Sequence, residues 1–423
     1  FFAENKVPFL ASFAAGLLAH GYAFTNKLVN HDEIESLFGK GATITSGRWG
    51  LGALDAIFPN YSMPWIYGIL TVLLVAAAVC VLVSLFGIRN RVLHGLLAGA
   101  VMVFPSLIGL FGYMFTSSSF GLAFFLAVLS AKLLQVPKFR YLLAAGGCLV
   151  LSLSIYQSYI SVAASLLVLV LIRKLLTGRT VRHVLKNGIF YVAFLVAALL
   201  VYWIGTQAVL KLTGTEMGEY ASGNFTFSPA SILTGAVLAY RNFFRFFTEG
   251  FCGLIPTAFS RLLHTLVLII APVLLLLLCG KRKLSVSQIL MLILLVVLLP
   301  LAINCMYMIT AEDSIHTLVL YSFVSFYVFI LLLADLALEA DLQKPVDMVL
   351  LNAVTVILSL VIVINTYVAN QAYLHLHLRY ENAYAFYTSL AADIKLQPEF
   401  CEDTRLAVVG FTSSPRKMMR SFS

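Results

Sequence analysis

The amino-acid sequence predicts an all-α polytopic membrane protein with about eleven transmembrane helices. Of its 423 residues, 61% are hydrophobic and only 11% are charged, and the mean hydropathy is +0.95. A soluble domain is usually about 45–50% apolar and about 25% charged. Long apolar segments recur along the whole chain, which excludes a soluble enzyme, a disordered protein and a soluble domain on a single membrane anchor.

Each predicted span is a segment of about 20 mostly apolar residues, the length that an α-helix needs to cross a bilayer. The spans are predicted at residues 7–27, 62–86, 92–112, 118–135, 141–157, 159–177, 188–210, 262–280, 285–308, 316–335 and 348–368. Pro105, Pro272 and Pro300 fall inside spans, where proline is tolerated if neighbouring groups satisfy the freed backbone.

The distribution of lysine and arginine predicts the orientation. Alternate short connections carry clusters of basic residues: Arg89 and Arg91; Lys132, Lys138 and Arg140; Arg173, Lys174, Arg179, Arg182 and Lys186; Lys281, Arg282 and Lys283. The short connections between them, 113–117, 157–159 and 309–315, contain neither residue type. Because basic loops stay in the cytoplasm, we predict a cytoplasmic amino terminus. The net charge of +9 then indicates contact with anionic lipid rather than with nucleic acid.

The long polar segments all fall on the predicted outer side, at 28–61, 211–261 and 369–423. We therefore divide the chain into a transmembrane domain, 1–368, which carries the first two segments, and a small outer tail, 369–423. Within the tail, Arg379–Tyr384 is predicted to be helical and Leu406–Gly410 to be one short strand. Any chemistry is expected on the outer face, where the polar residues collect.

Carboxylates follow the first span directly. His31 precedes Asp32 and Glu33, and Glu35 comes two positions later. Ionisable groups close to the bilayer often mark function, and a carboxylate there can take a proton from an incoming hydroxyl. An ordinary solvated loop with an acidic run explains the same residues, so both interpretations stay open.

Three outer arginines are candidates for binding a phosphate, because the guanidinium group is permanently charged and forks onto phosphate oxygens. Arg48 stands beside Trp49 in the first outer segment. Arg241 and Arg245 share one face of a helix that Pro229 begins, and its many phenylalanines predict an amphipathic helix in the outer interface. The alternatives are an aromatic belt for Trp49 and membrane anchoring for the helix.

Two further polar groups stand at outer span ends. Tyr156 and Gln157 can line a sugar or acceptor cavity, or hydrogen-bond to neighbouring helices. Glu312 and Asp313, followed by His316, occupy a short outer turn whose spacing is not diagnostic of a metal. We therefore predict no metal site and no required cofactor, with a divalent metal left open.

Four short motifs carry a resemblance to a known family: Asn30–Glu33, Ser46–Trp49, Ser117–Ser119 and Tyr156–Gln157. They resemble the serotype-converting integral-membrane glucosyltransferases of bacteria and their phages, the Gtr type, which modify O-antigen. The resemblance implies a fold like that of the GT-C glycosyltransferases and a location in the bacterial inner membrane. It further implies an undecaprenyl-phosphate glucose donor, an O-antigen or other lipopolysaccharide acceptor, a synthase that loads the carrier and a flippase that turns it over.

In GT-C enzymes an acidic residue of the first outer loop is typically essential, and this carries over onto Asp32, or onto Glu33 beside it. The hypothesis is therefore an inverting glycosyltransferase in which Asp32 is the base and Glu33 positions the acceptor or completes the base. Arg48, or Arg241 with Arg245, stabilises the departing phosphate. His31, Trp49, Tyr156, Gln157, Glu312 and Asp313 are expected to line the sugar or acceptor cavity.

The main alternative is a flippase or transporter of lipid-linked sugars. Such a protein needs no outward carboxylate and should carry charged residues deep within several spans. Lys132 and Asp335 are instead near the predicted cytoplasmic ends of their spans, which favours the enzyme. A non-catalytic assembly protein is the third possibility, and it would leave Asp32 and Glu33 free to vary.

Overall fold

The computed structural model confirms the predicted all-α polytopic class. It describes residues 2–30, 32–33, 43–57, 61–218, 229–250, 255, 257–310, 315–340, 345–398, 400, 401, 403 and 405. The described residues form helices joined by short turns, and no strand occurs among them. His31, Glu312, Asp313 and the predicted strand Leu406–Gly410 lie outside the described residues.

Fourteen α-helices and three 3₁₀ turns follow one another along the described chain. The first seven helices are α1 Phe2–Thr25, α2 Trp49–Ile57, α3 Pro64–Phe86, α4 Arg91–Met102, α5 Pro105–Gly112, α6 Met114–Leu133 and α7 Phe139–Ile155. The others are α8 Ile160–Leu176, α9 Val181–Thr213, α10 Pro229–Thr248, α11 Ala258–Arg282, α12 Val286–Ile303, α13 Val324–Glu339 and α14 Pro345–Lys395. The 3₁₀ turns are Gln157–Tyr159, Cys305–Met308 and Thr317–Phe323.

Nine helical segments of the described chain are long and apolar enough to cross a membrane. A tenth is the pair α4 and α5, which bend by 44° at Pro105, where proline both removes a backbone donor and begins the next helix. The short α7 is also apolar. Each predicted span therefore overlaps a helix, while the count of eleven crossings stays a prediction.

Side-chain caps fix the turns on the side that carries the basic clusters, hereafter the basic side. The side-chain oxygen Oδ1 of Asn90 accepts from the backbone amides of Val92 and Leu93 at the start of α4. Thr180 caps α9, and Ser285 forms a reciprocal capping box at the start of α12. Because each cap satisfies amide donors that a helix start leaves open, these short turns are defined locally by their own sequence.

The helices differ in how much surface they offer to lipid. The central element is α13 with its preceding 3₁₀ turn. Of its most apolar segment, 83% is buried among the other helices. The opposite case is α9, only 17% buried, with Val192, Val201 and Ile204 pointing outward. In water such a surface would be unfavourable, and in a bilayer it faces acyl chains. The peripheral position of α9 follows from this outward apolar face.

The amphipathic helix α10 begins at Pro229 as predicted. Three of its phenylalanines, Phe243, Phe246 and Phe247, are fully buried. Phe243 stacks on Phe323, with ring centroids 5.8 Å apart. Phe244, the fourth phenylalanine of α10, faces outward and is 49% exposed. The apolar face of α10 therefore packs into the helix bundle and does more than anchor the helix to lipid.

The last helix, α14, continues far beyond the predicted span 348–368 and ends at Lys395. The first half of the predicted tail is thus helical and continuous with the membrane segment. Asn370 donates to the carbonyls of Leu18 and Ala19, so α14 remains attached to α1 on the predicted outer side.

Candidate active site on the predicted outer side

Most of the described candidate residues lie at the helix ends on the predicted outer side. Asp32 and Glu33 follow α1, Arg48 directly precedes α2, and Tyr156 and Gln157 occupy the break between α7 and α8. The chain brings these loops together because antiparallel helices place alternate connections at one end of the bundle. The arrangement therefore collects a carboxylate turn, an arginine turn and a helix break on one face.

The acidic turn is attached to the end of α5. Asn30 donates from its side-chain amide to the carbonyl of Gly112 over 3.1 Å. The backbone amide of Asn30 donates to Glu33 Oε2 at 3.1 Å, and Lys27 Nζ lies 3.8 Å from Glu33 Oε1. Glu33 is only 5% exposed, whereas Asp32 is half-buried. Glu33 is thus held by local contacts, and Asp32 is the more accessible carboxylate.

The Arg48 turn requires glycine at position 47. Gly47 has a φ of 76°, a left-handed conformation that residues with a Cβ adopt only with strain. A Cβ there would lie 2.8 Å from Tyr202 Oη and 3.1 Å from Gln157 Nε2. The turn closes when the amide of Arg48 donates to the carbonyl of Thr43 at 2.8 Å. Backbone conformation and close packing both exclude larger residues at this point.

Gln157 fixes this turn from the other side. Its Nε2 donates to the carbonyl of Ser46 at 2.8 Å and to Tyr202 Oη at 3.0 Å. Tyr202 in turn donates to the carbonyl of Gly47 at 3.1 Å. Gln157 can reach the Arg48 turn because the backbone of Tyr156 is extended and interrupts the helix between α7 and α8. Gln157 was predicted either to line a cavity or to hydrogen-bond to neighbouring segments. It does the second, and its partners belong to the Arg48 turn and to α9.

The guanidinium of Arg48 lies over an aromatic ring. Its Cζ is 5.2 Å from the centroid of Tyr156, within the range of a cation–π interaction. Tyr156 is stacked on Phe120 at 4.6 Å, which fixes the ring. Arg48 Nε is buried and has no hydrogen-bond partner among the described residues, and the same is true of Trp49 Nε1. A buried donor without an acceptor is costly, so an anionic ligand beside Arg48 Nε would be stabilised.

His316 lies close enough to the arginine turn to feel the charge of Arg48. Partial burial, and to a lesser extent the charge of Arg48, lower the pKa of His316 below its usual value and so favour the neutral imidazole. The next residue, Thr317, packs against Gly109 of α5, the helix whose last carbonyl holds Asn30. The end of α5 therefore contacts both the acidic turn and the segment that begins at His316.

The arginines of α10 have different surroundings. Arg241 is exposed, and Arg245 Nε lies 2.9 Å from Glu249 Oε2 in an ion pair one helical turn away. An exposed pair of this kind is screened by water and is weakly stabilising. Arg245 is already partly neutralised, whereas the Nε of Arg48 is buried without an acceptor among the described residues.

Two residues of this site were not singled out as part of it by sequence reasoning. Tyr202 is inside an apolar span, where a tyrosine looks like an interfacial anchor, and no motif distinguishes it. His316 was considered only as a companion of Glu312 and Asp313 in a metal site. No cluster of three potential metal ligands occurs among the residues that the structure describes.

No curated protein and no solved structure matches the chain. A protein-family model described as Glucosyl transferase GtrII matches residues 21–334. The match includes the acidic turn, the Arg48 turn, the break at Tyr156 and Gln157, and His316. It spans well over half of the chain and agrees with the resemblance carried by the short motifs. The protein is therefore a membrane protein that belongs to the GtrII glucosyl transferase family.

Proposed function

We propose that the protein transfers glucose from a polyprenyl-phosphate carrier to O-antigen or another surface polysaccharide at the outer face of the bacterial inner membrane. Family membership supplies the glucosyl transfer. The observation that carries the donor assignment is Arg48, whose Nε is buried at the outer end of the helices without a protein acceptor among the described residues. A lipid-linked phosphate at that depth would provide the acceptor.

The reaction proceeds by direct displacement with inversion at the anomeric carbon. Asp32 removes the proton from the acceptor hydroxyl, worth typically about 10²–10⁴-fold in rate. The hydroxyl oxygen forms the new bond to the anomeric carbon as the bond from that carbon to the phosphate oxygen breaks. The electron pair leaves with the phosphate, and Arg48 stabilises the charge that develops there.

The other residues position these two groups. Glu33, buried against Lys27 and the amide of Asn30, keeps the acidic turn in place beside the acceptor. Gln157 holds the Arg48 turn, and Trp49 and Tyr156 border the donor phosphate. In this scheme no cofactor is required, because the sugar is already activated by its phosphate and Arg48 supplies the cation.

A flippase of lipid-linked sugars is supported less well. Lys132 donates to the carbonyl of Ser84, and Asp335 accepts from the amides of Arg89 and Asn90. Both charged groups thus complete turns at the basic side, and neither is placed along a path through the spans. The carrier would be loaded by a separate synthase and turned over by a separate flippase.

The test measures transfer of labelled glucose from polyprenyl-phosphate glucose to polysaccharide in membranes that contain Arg48 variants. Arg48→Lys keeps the charge and loses the planar fork, so we expect a partial loss. Arg48→Ala should lower activity by at least about tenfold more, because charge-assisted contacts to phosphate are strong. Arg241→Ala, at an exposed position, should have a mild effect.

The outcomes are distinguishable. Loss of transfer in Arg241→Ala and Arg245→Ala, with Arg48→Ala active, would move the phosphate site to α10. Unchanged affinity for polyprenyl-phosphate glucose with alanine at all three positions, singly and together, would exclude the carrier-phosphate model.

A further inference from the structure

A cavity occurs at the opposite end of the bundle, on the basic side. It has a volume of about 580 Å³ and opens between the end of α6, the beginning of α7, the end of α8 and the beginning of α9. The residues that matter for its chemistry are Lys138, Phe139, Lys174, His183, Lys186, Phe190 and Tyr191. The cavity is far along the chain from the acidic turn and the Arg48 turn, and the proposed reaction does not use it.

The cavity is strongly basic. Three lysines and His183 line it, and the described residues that line it include no aspartate or glutamate. Lys138 and Lys186 are exposed at the mouth, while Lys174 is half-buried at the base. Three cations around one concave surface repel one another unless an anion lies between them. The charge pattern is therefore complementary to an anionic group.

The base of the cavity is held rigid by hydrogen bonds. Lys174 Nζ donates to Tyr191 Oη at 2.7 Å and lies 5.2 Å from the centroid of that ring. Tyr191 donates to Gln135 Oε1 at 2.8 Å. This chain connects α8, α9 and the end of α6, so Lys174 is presented in a fixed position. The site is built from ordered side chains and is more than a group of mobile surface lysines.

One wall of the cavity is apolar and faces outward. Phe139 is 73% exposed, and Phe190 is 43% exposed. Phe190 also belongs to α9, whose outward face is apolar over most of its length. A molecule that fits this combination has an anionic head for the lysines and hydrocarbon chains that continue along the phenylalanines into the bilayer.

We infer that this cavity binds the headgroup of an anionic phospholipid from the leaflet on the basic side. Basic residues at the predicted cytoplasmic surface attract anionic lipids, and this site adds a shaped cavity and an ordered lysine. The phosphate lies between Lys138, Lys174 and Lys186, and the acyl chains pass Phe139 and Phe190. The inference is independent of the proposed transfer reaction.

The experiment titrates the purified full-length chain in detergent with phosphatidylglycerol and counts bound lipids by native mass spectrometry. The test variant is Lys138→Gln with Lys186→Gln, two exposed lysines that line the cavity. The matched control is Arg182→Gln, which removes one exposed charge beside His183 at a residue that does not line it. Unchanged thermal unfolding in both variants establishes that each is folded.

We expect roughly a fivefold loss of phosphatidylglycerol affinity per lysine, the factor that corresponds to about 1 kcal/mol per cation near an anionic surface. Arg182→Gln should bind close to normally, and phosphatidylethanolamine should bind weakly. A loss in Arg182→Gln as large as the loss per lysine in the test variant would overturn the inference in favour of general surface charge. Displacement of the lipid by inorganic phosphate at similar concentration would replace it with a site for free phosphate.

Discussion

At the residue scale, the decisive contrast is between two neighbouring carboxylates. Glu33 is buried and accepts a backbone hydrogen bond from Asn30, while Asp32 is half-buried beside it. Sequence alone could not separate them, since both follow α1 in the same acidic run. Their different burial follows from the attachment of Asn30 to Gly112, a contact between residues far apart in the chain.

Asp32→Asn should fold normally and bind donor but lose transfer by about 10²–10⁴-fold, because the side chain is nearly isosteric and only its capacity to accept a proton is removed. The measurement is single-turnover transfer in membranes, with donor binding followed separately. Transfer near the unmodified rate would exclude Asp32 as the base.

Glu33→Gln is the control for that assignment. The amide oxygen can still accept from the backbone of Asn30, and only the ion pair with the half-exposed Lys27 is lost. We expect most of the activity to remain. If Glu33→Gln is inactive and Asp32→Asn is active, the base is Glu33.

At the element scale, the arginine turn depends on three segments that are distant in sequence. The start of α2, the break between α7 and α8, and the outer half of α9 meet at Gly47 through Gln157 and Tyr202. None of these contacts has a local sequence signal. The sequence shows only two local features of this turn: the glycine before Arg48, and Tyr156 with Gln157 at the end of the fifth predicted span.

Gly47→Ala should displace the Arg48 turn, because the added Cβ would lie 2.8 Å from Tyr202 Oη. We expect a loss of transfer of roughly tenfold or more, the size that follows from a misplacement near 1 Å in an active site. The matched control is Gly214→Ala, where φ is 63° but nothing lies within 4 Å of the added atom.

The two glycine variants share the cost of a left-handed backbone and differ in the steric contact. Comparable losses of transfer in both would show that backbone strain, and not the position of Arg48, explains the effect. A selective loss in Gly47→Ala, with similar thermal unfolding of the two proteins, supports the role of the turn.

At the scale of the whole molecule, the predicted spans agree well with the helices because a membrane span is encoded locally, by about 20 apolar residues. The features that were not predicted depend on packing between spans. The phenylalanines of α10 were expected in the outer interface, yet three of them fill the core beside Phe323. Helix was predicted at Arg379–Tyr384 and is confirmed. Its continuity with the last span was not predicted, because the apolar segment ends at about residue 368 while the helix continues.

The orientation of the molecule is a prediction from its basic loops. In a background without native cysteines, Ala385→Cys should react with a membrane-impermeant thiol reagent added outside intact cells. Arg179→Cys, in an exposed turn on the basic side, should react only after the membrane is opened. The reverse labelling pattern would invert the topology and move the proposed active site to the other face.

The continuity of α14 has a consequence for how its outer part stays folded. Every side chain from Leu378 to Asp393 is exposed, a stretch about 24 Å long at about 1.5 Å per residue. An isolated helix of that length is marginal in water, because forming its first turn is unfavourable. Here the first turn already exists, since Tyr373 and Asn370 hold the preceding residues against α1. This segment therefore only elongates a helix that has already been nucleated, and we expect it to unwind from Lys395 toward the membrane.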